Sequence, residues 1–135
     1  MGMKPQGDFR EPTEPERLLF YRLLEANFPG RDELGPLMRQ VLIKIIDKDG
    51  RLKLQSQVEG RAPVVKRIPV EAEAKDEDGA VIHMLLHVVD GRPMVLEFFR
   101  DGDGTVIKMP PASAFELIVL PPSPAKGWRS SNRIM

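Results

Sequence analysis

From Val41 onward the sequence consists of short apolar runs separated by turns, with no helix-length segment between them. The predicted strands span residues 41–46, 51–58, 68–74, 80–89, 93–99, 105–109 and 115–120. Asp90-Gly91 follows the most apolar run, residues 80–89, and leads into residues 93–99; Asp-Gly between two such runs is the strongest short-range indication of a hairpin. Because no helix intervenes, the pattern predicts a curved antiparallel meander sheet of about six or seven strands rather than a parallel one.

Two helices are predicted ahead of the strands. The segment Thr13-Glu14-Pro15-Glu16 predicts a helix start, because the Thr13 hydroxyl can accept from the third helical N–H while the Glu16 side chain reaches back. This helix is expected to run to about Asn27, and a shorter helix is expected after Asp32, its predicted cap. The fold class is therefore α+β, with two N-terminal helices packed on one face of the sheet.

The composition fits one folded domain between two polar ends. Residues 1–12 are predicted to be a flexible tail, residues 13–120 a single domain, and residues 121–135 a proline-rich basic tail. A chain of 135 residues can bury about two-thirds of its unfolded surface in one core. Twenty basic residues balance twenty acidic ones, so nucleic-acid binding is unfavoured.

The sequence also limits the chemistry and the compartment. It contains no cysteine, which excludes disulfides, thiolate zinc sites and a cysteine nucleophile. Nowhere do about 18 apolar residues run together, so no membrane partner is predicted. The first residues are followed by no apolar stretch of signal-peptide length, and we therefore expect a cytoplasmic protein.

An Asp-x-Asp-Gly motif occurs three times, at residues 47–50, 76–79 and 101–104. A calcium loop of the EF-hand type needs a glutamate six residues after the glycine, and that place holds Ser56, Leu85 and Pro110. Aspartate that accepts local N–H groups, followed by glycine, is typical of tight turns. We interpret all three motifs as turns and predict neither a metal nor a cofactor.

His83 and His87 are the candidates for catalysis, together with Glu97. On a strand, residues four apart lie about 13 Å from each other, too far to share one ion. A two-residue turn at Asp90-Gly91 would pair His87 with Met94 and His83 with Phe98. That register turns Glu97 away from both histidines and disfavours a His–Glu pair, unless a bulge shifts the strands by one residue.

Both faces of the hairpin formed by residues 80–99 are largely apolar, so something must cover the face without helices. Either the sheet, the tail and the long loop cover it, or it binds a second copy or another protein. The candidate interaction residues are Glu71, Glu73, Asp76, Asp78 and Trp128. The preferred hypothesis is a non-enzymatic protein–protein interaction module, with toxin neutralisation as one version. The alternative is a small-ligand binder or enzyme with a helix–sheet pocket near His83 and His87.

Several segments resemble a group of small uncharacterised bacterial proteins. The similar segments are residues 70–73, 76–79, 85–91 and 96–99, and the similarity extends back to Phe28-Pro29-Gly30-Arg31. The resemblance implies bacterial origin and a stand-alone domain. It implies no activity and no site residues.

Overall fold

The computed structural model describes residues 8–119 of the chain. The helices are α1 (Glu14–Leu24) and α2 (Arg31–Arg39), and the strands are β1 (Val41–Ile45), β2 (Leu52–Ser56), β3 (Val70–Lys75), β4 (Val81–Val89), β5 (Arg92–Arg100) and β6 (Glu116–Ile118). The strands form one open antiparallel sheet in the order β1-β2-β5-β4-β3-β6. The α+β class and the meander-like antiparallel sheet are thereby confirmed.

Helix α1 begins with the predicted capping box. The backbone N–H of Thr13 donates to the Glu16 carboxylate at 2.7 Å, and the backbone N–H of Glu16 donates to the Thr13 hydroxyl at 3.4 Å. The helix ends at Leu24, earlier than the predicted Asn27. The Arg31 guanidinium donates to the carbonyl oxygen of Leu24 at 2.8 Å, and this bond satisfies an acceptor that a further helical turn would otherwise occupy.

Helix α2 is capped by Gly30 and not by the predicted Asp32. Gly30 has a φ of 89°, and a Cβ atom there would lie 2.6 Å from Cγ2 of Val64. Only glycine fits this close approach in the left-handed conformation. The Asp32 carboxylate instead accepts a hydrogen bond from Nε of Arg31 at 2.7 Å.

The core lies between the helices and one face of the sheet. Alternate strand residues point into it, as the burial pattern of β4 shows. Its most deeply buried members include Phe20, Leu23, Leu34, Met38, Ile82, Met84, Leu86, Leu96 and Phe115. The helices therefore cover this face, and the side chains of the opposite face point away from them.

The strand predicted for residues 105–109 is wrong. The backbone N–H groups of Ile107 and Lys108 donate to the Asp76 carboxylate at 2.8 and 3.0 Å. A side chain thus takes the donors that a neighbouring strand would need, and the sheet has six strands.

The turn interpretation of the Asp-x-Asp-Gly motifs is confirmed. In the first motif, one carboxylate oxygen of Asp47 accepts from the N–H groups of Asp49 and Arg51, both at 3.0 Å. In the second, Asp78 accepts from the N–H of Ala80 at 3.1 Å. The glycines that close all three motifs have positive φ angles.

The segment before α1 contacts the sheet. Arg10 and Ile43 exchange two backbone hydrogen bonds of 2.8 Å, and the Arg10 guanidinium binds the Glu16 carboxylate. Part of the predicted N-terminal tail is thus paired with β1. Neither helix in the described range, residues 8–119, is long and apolar enough to cross a membrane.

Candidate functional site

A bulge in β5 determines which side chains face one another on the β4–β5 hairpin. Val89 pairs with Arg92 as predicted, but the register then shifts, so that His87 lies opposite Val95 and Met94 is the extra residue. Pro93 lies beside the shift, and because proline has no N–H to donate, strand prolines are confined to edges and bulges. The predicted pairing of His87 with Met94 is therefore wrong.

The same shift corrects the predicted position of Glu97. Glu97 lies opposite Leu85, and Phe99 rather than Phe98 lies opposite His83. A one-residue slip moves side chains to the other face of a sheet. Glu97 therefore shares a face with both histidines, which is the exception that the sequence left open.

His87 and Glu97 form a hydrogen-bonded pair. Nε2 of His87 lies 2.7 Å from the Glu97 carboxylate, and Nδ1 of His87 accepts from Nε of Arg67 at 3.3 Å. Because Arg67 can only donate, the neutral imidazole carries its proton on Nε2 and donates it to Glu97. The second oxygen of Glu97 accepts from Arg51 at 3.2 Å, so both partners are held by arginines.

His83 lies in a separate cluster on the same face. Its Nε2 is 2.8 Å from the Asp101 carboxylate, and its Nδ1 is 3.6 Å from the Glu73 carboxylate. The imidazole stacks on the Phe99 ring, with centroids 4.5 Å apart and planes 17° apart. His83 and His87 thus each contact carboxylates, but different ones.

We call the sheet face that points away from the helices the open face. On its two central strands Leu85 lies opposite Glu97, Val95 opposite His87 and Phe99 opposite His83, so apolar and polar side chains alternate. Leu85 and Val95 are half-buried, and Phe99 is 38% exposed. The open face is thus neither a dry core nor an ordinary polar surface.

The two ends of the open face differ in charge. Lys44 and Lys53 lie opposite each other on β1 and β2, and we call them the basic corner. Glu71, Glu73 and Glu116 lie on β3 and β6, at the other end of the strand order, and we call them the acidic corner; Lys75 is the basic residue on the same face of β3. Among residues 8–119, the side chains of Lys44, Lys53, Glu71 and Glu116 form no hydrogen bond or ion pair.

The Asp76 side chain is inaccessible to solvent and has a structural role. It is fully buried and accepts from the N–H groups of Ile107, Glu77 and Lys108 and from the Arg100 guanidinium at 2.9 Å. Burial raises the pKa of Asp76, but these hydrogen bonds outweigh it and hold that pKa below its ordinary value. The prediction that Asp76 contacts a partner therefore does not fit its position.

Asp78 is closer to the solvent and completes the contact with Arg100. Its carboxylate accepts from Arg100 at 2.7 Å, and this bond, followed by the N–H of Ala80, lowers the pKa of Asp78. In return, the bond to Asp78 raises the pKa of Arg100. The arginine thus joins the β3–β4 turn to the end of β5.

An apolar groove lies at the N-terminal end of α1, away from the position near His83 and His87 at which the sequence hypothesis placed a helix–sheet pocket. It has a volume of about 620 Å³, and its walls come from α1, the β1–β2 hairpin, β5 and residues 109–112. Leu52 and Phe98 form part of its lining, and both are buried core residues. This helix–sheet groove therefore opens on the opposite side of the sheet from His83 and His87. Leu18 and Ile45 are exposed apolar residues in its lining, but their exposure is not apparent from the sequence.

Two further sequence expectations concern metals and Trp128. Over residues 8–119, no group of three or more histidine, aspartate or glutamate side chains is placed to hold a metal ion. Trp128, a predicted interaction residue, lies outside the described residues.

Comparison with known proteins gives one match. A family model described as "Domain of unknown function (DUF6984)" matches residues 9–110. This span contains both helices, the first five strands, both histidine clusters and Asp76. No curated protein and no solved structure matches the chain.

Proposed function

The chain belongs to the family described as "Domain of unknown function (DUF6984)", and from the geometry of the open face we propose that it is a protein–protein interaction module rather than an enzyme. The contact surface is the open face, and the partner is a second copy of the chain. The cytoplasmic location and the toxin-neutralising version are expectations from sequence that this proposal does not require.

The observation that carries the proposal is the composition of the open face. On its two central strands the apolar side chains of Leu85, Val95 and Phe99 lie opposite Glu97, His87 and His83. Protein interfaces combine apolar side chains with hydrogen-bonded polar ones, and aromatic residues are enriched in them. Phe99, which is 38% exposed, is an aromatic side chain that the open face offers to a partner.

The separation of charge favours a second copy as the partner. When two identical faces meet, a two-fold axis in the plane of the interface can exchange any two points of the face. An axis midway between the corners places Lys44 and Lys53 of each copy against Glu71 and Glu116 of the other. These side chains have no ion-pair partner among residues 8–119, so each would gain one.

The area of the open face determines how tightly the dimer is expected to bind. Six strands spaced about 4.8 Å apart span about 24 Å, and the longest strands extend about 30 Å. Two such faces would bury on the order of 1,000 Å² in total, which is at the lower end of specific interfaces. We therefore expect a reversible dimer with a dissociation constant in the micromolar range.

Charge-swap variants test the proposal by light scattering coupled to size exclusion over a range of concentrations. Lys44→Glu with Lys53→Glu is expected to give monomers, and so is Glu71→Lys with Glu116→Lys, because like charges then meet. An equimolar mixture of the two variants is expected to restore a dimer, since each basic corner again meets an acidic one. Raised salt should weaken the wild-type dimer.

Two results would contradict the self-association. A wild-type chain that stays monomeric at the highest concentration has no second copy on this face. A dimer that survives both charge swaps uses another surface. Val65→Glu is the matched control for added charge, because Val65 is 98% exposed and lies in the loop between β2 and β3.

An acid–base site at His87 is the second candidate, and the 2.7 Å contact with Glu97 favours it. Against it, Arg67 and Glu97 occupy both ring nitrogens, whereas a general base needs one nitrogen open to its substrate. Acylation of the imidazoles by diethyl pyrocarbonate distinguishes the two, because the reagent attacks an accessible neutral nitrogen. Acylation of His87 as fast as that of a free histidine peptide would favour the acid–base site, and strong protection would favour the interaction module.

A further inference from the structure

The groove at α1 has the lining of a binding site for an apolar side chain. Besides the core residues Leu52 and Phe98, its walls include Leu18, Ile45 and Pro111. Leu18 is 45% exposed and Ile45 is 53% exposed, so both offer apolar surface to a ligand in the groove. A volume of about 620 Å³ is within the usual range of ligand pockets.

A second, shallower cavity extends this groove along α1. It shares Leu18, Pro111 and Ala112 with the first, and Tyr21 lies in its wall. The two cavities together form a mainly apolar track along α1, with the ion pair of Arg22 and Glu25 at its far end. Such a track suits an extended peptide rather than a compact small molecule.

The chain itself supplies a segment of matching chemistry. Residues 121–135 contain Pro121, Pro122 and Pro124, followed by Trp128, which is the single tryptophan of the protein. Proline-rich segments favour an extended conformation that binds in apolar grooves at a low entropic cost. Tryptophan has the largest apolar area to bury.

The charges of the groove and the segment are opposite. The charged side chains that line the larger cavity are Glu14 and Glu16, both acidic. The charged side chains of residues 121–135 are Lys126, Arg129 and Arg133, all basic. Glu14 has no ion-pair partner among residues 8–119, and is therefore available to a cation.

The segment is long enough to reach the groove. Ala112 lines the groove, and Val119 lies seven residues later, at most about 25 Å away in an extended chain. Trp128 is nine residues beyond Val119, which adds a reach of about 30 Å. The indole can therefore return to the groove within one molecule.

We propose that residues 121–135 of the chain bind the α1 groove, with the Trp128 indole between Leu18 and Ile45 and the basic side chains facing Glu14. The segment covers the apolar track in the same molecule. This contact lies on the helix side of the sheet and does not involve the open face.

Intrinsic fluorescence tests this directly, because all tryptophan emission comes from Trp128. The intact protein is expected to emit at shorter wavelength than a synthetic peptide of residues 120–135, and to be quenched by acrylamide several-fold less. Leu18→Lys and Ile45→Lys should move emission and quenching most of the way to the values of the peptide. Val65→Lys is the matched control, since Val65 is exposed and lies outside the groove, and it should leave both unchanged.

A second readout uses Tyr21, the single tyrosine of the chain. Because Tyr21 lines the shallower cavity, excitation of tyrosine should sensitise Trp128 emission in the intact protein. Leu18→Lys should reduce that transfer. Circular dichroism of each variant establishes that the fold persists, so that a lost shift reports the contact and not unfolding.

Three outcomes would overturn the proposal. Emission equal to that of the peptide means that the groove does not hold Trp128. A blue shift that Leu18→Lys and Ile45→Lys leave intact places the indole elsewhere. A blue shift that disappears on dilution means that the segment of another copy fills the groove. Persistence of the shift in the Lys44→Glu, Lys53→Glu variant would separate this contact from the proposed dimer.

Discussion

The His87 imidazole lies 2.7 Å from the Glu97 carboxylate because β5 contains Met94 as an extra residue, which shifts its register against β4. The bulge also serves the core. Without it, the side chains of Leu96 and Phe98 would point to the open face, whereas they are 0% and 2% exposed in the core. The polar pair and the apolar packing therefore depend on the same one-residue shift.

The His87–Glu97 contact should contribute measurably to stability. In a double-mutant cycle of His87→Ala and Glu97→Ala, we expect a coupling of about 1 kcal/mol, because the hydrogen bond to a carboxylate lies at a partly buried site that water still reaches. Urea unfolding of the four proteins measures it. Glu59→Ala is the control, since Glu59 is exposed in the loop after β2 and should change the free energy of unfolding by less than about 0.5 kcal/mol. Additive effects would show that the two side chains do not interact.

The sequence predicted those elements whose signals are local. The capping box at Thr13 and the Asp90-Gly91 turn each involve neighbouring residues, and both formed as expected. The α+β class followed from periodicity alone. The bulge was missed because it depends on a competition between one hairpin register and the burial of Leu96 and Phe98. Pro93 next to Met94 was the signal that could have located it.

The failures elsewhere have a common cause in long-range contacts. Residues 105–109 have the composition of a strand, but the buried Asp76 carboxylate binds their N–H groups from 31 and 32 positions away. Gly30 caps α2 because Val64 packs against it, and the order of the chain does not reveal that contact. The groove at α1 likewise joins four segments that are distant in sequence.

The Asp76 carboxylate should be essential for the position of residues 105–109. Asp76→Asn replaces an oxygen acceptor by an NH₂ donor, so that at least one N–H or the Arg100 guanidinium loses its partner in a buried site. We expect Tm to fall by on the order of 10 °C. Asp78→Asn, at a half-exposed carboxylate that also binds Arg100, should lower Tm by much less. Equal effects in thermal unfolding would contradict the anchoring role of Asp76.

Stability should fall as the solution is acidified. The pKa of Asp76 lies below its ordinary 3.8, and that of Glu16 lies below its ordinary 4.5. At Glu16, burial raises the pKa, but the hydrogen bonds from Arg10 and Thr13 lower it by more. Above these ordinary values both states are ionised and the stabilisation is complete. Below them the unfolded chain binds protons first, so the free energy of unfolding decreases until the folded pKa values are passed.

Urea unfolding from about pH 6 to about pH 3 measures this dependence. The wild type should lose stability below about pH 4.5, and Asp76→Asn should show a shallower loss, because one of the titrating groups is absent. Val65→Asn, at an exposed side chain that does not titrate, is the control and should keep the wild-type slope. A slope unchanged by Asp76→Asn would mean that Asp76 titrates alike in the folded and unfolded chains.

Gly91 should tolerate alanine much less than Gly79, although both have positive φ angles of 74° and 89°. At Gly79 no atom lies within 4 Å of an added Cβ, so the substitution costs only backbone strain, about 1 kcal/mol. At Gly91 the Cβ would lie 2.5 Å from the carbonyl oxygen of Ala62, which belongs to the loop packed on the hairpin turn. The backbone N–H of Ala62 donates to the Gly91 carbonyl at 2.8 Å, so the two segments cannot separate without losing that bond.

We therefore expect Gly91→Ala to cost about 3 kcal/mol, roughly 2 kcal/mol more than Gly79→Ala. The two free energies of unfolding, measured in urea, isolate the steric part, because the strain from positive φ is common to both. Equal costs would mean that the loop holding Ala62 yields readily and does not hold the hairpin turn in place. A large difference would mean that this loop is a fixed wall of the domain, which positions Arg67 against His87 at the other end.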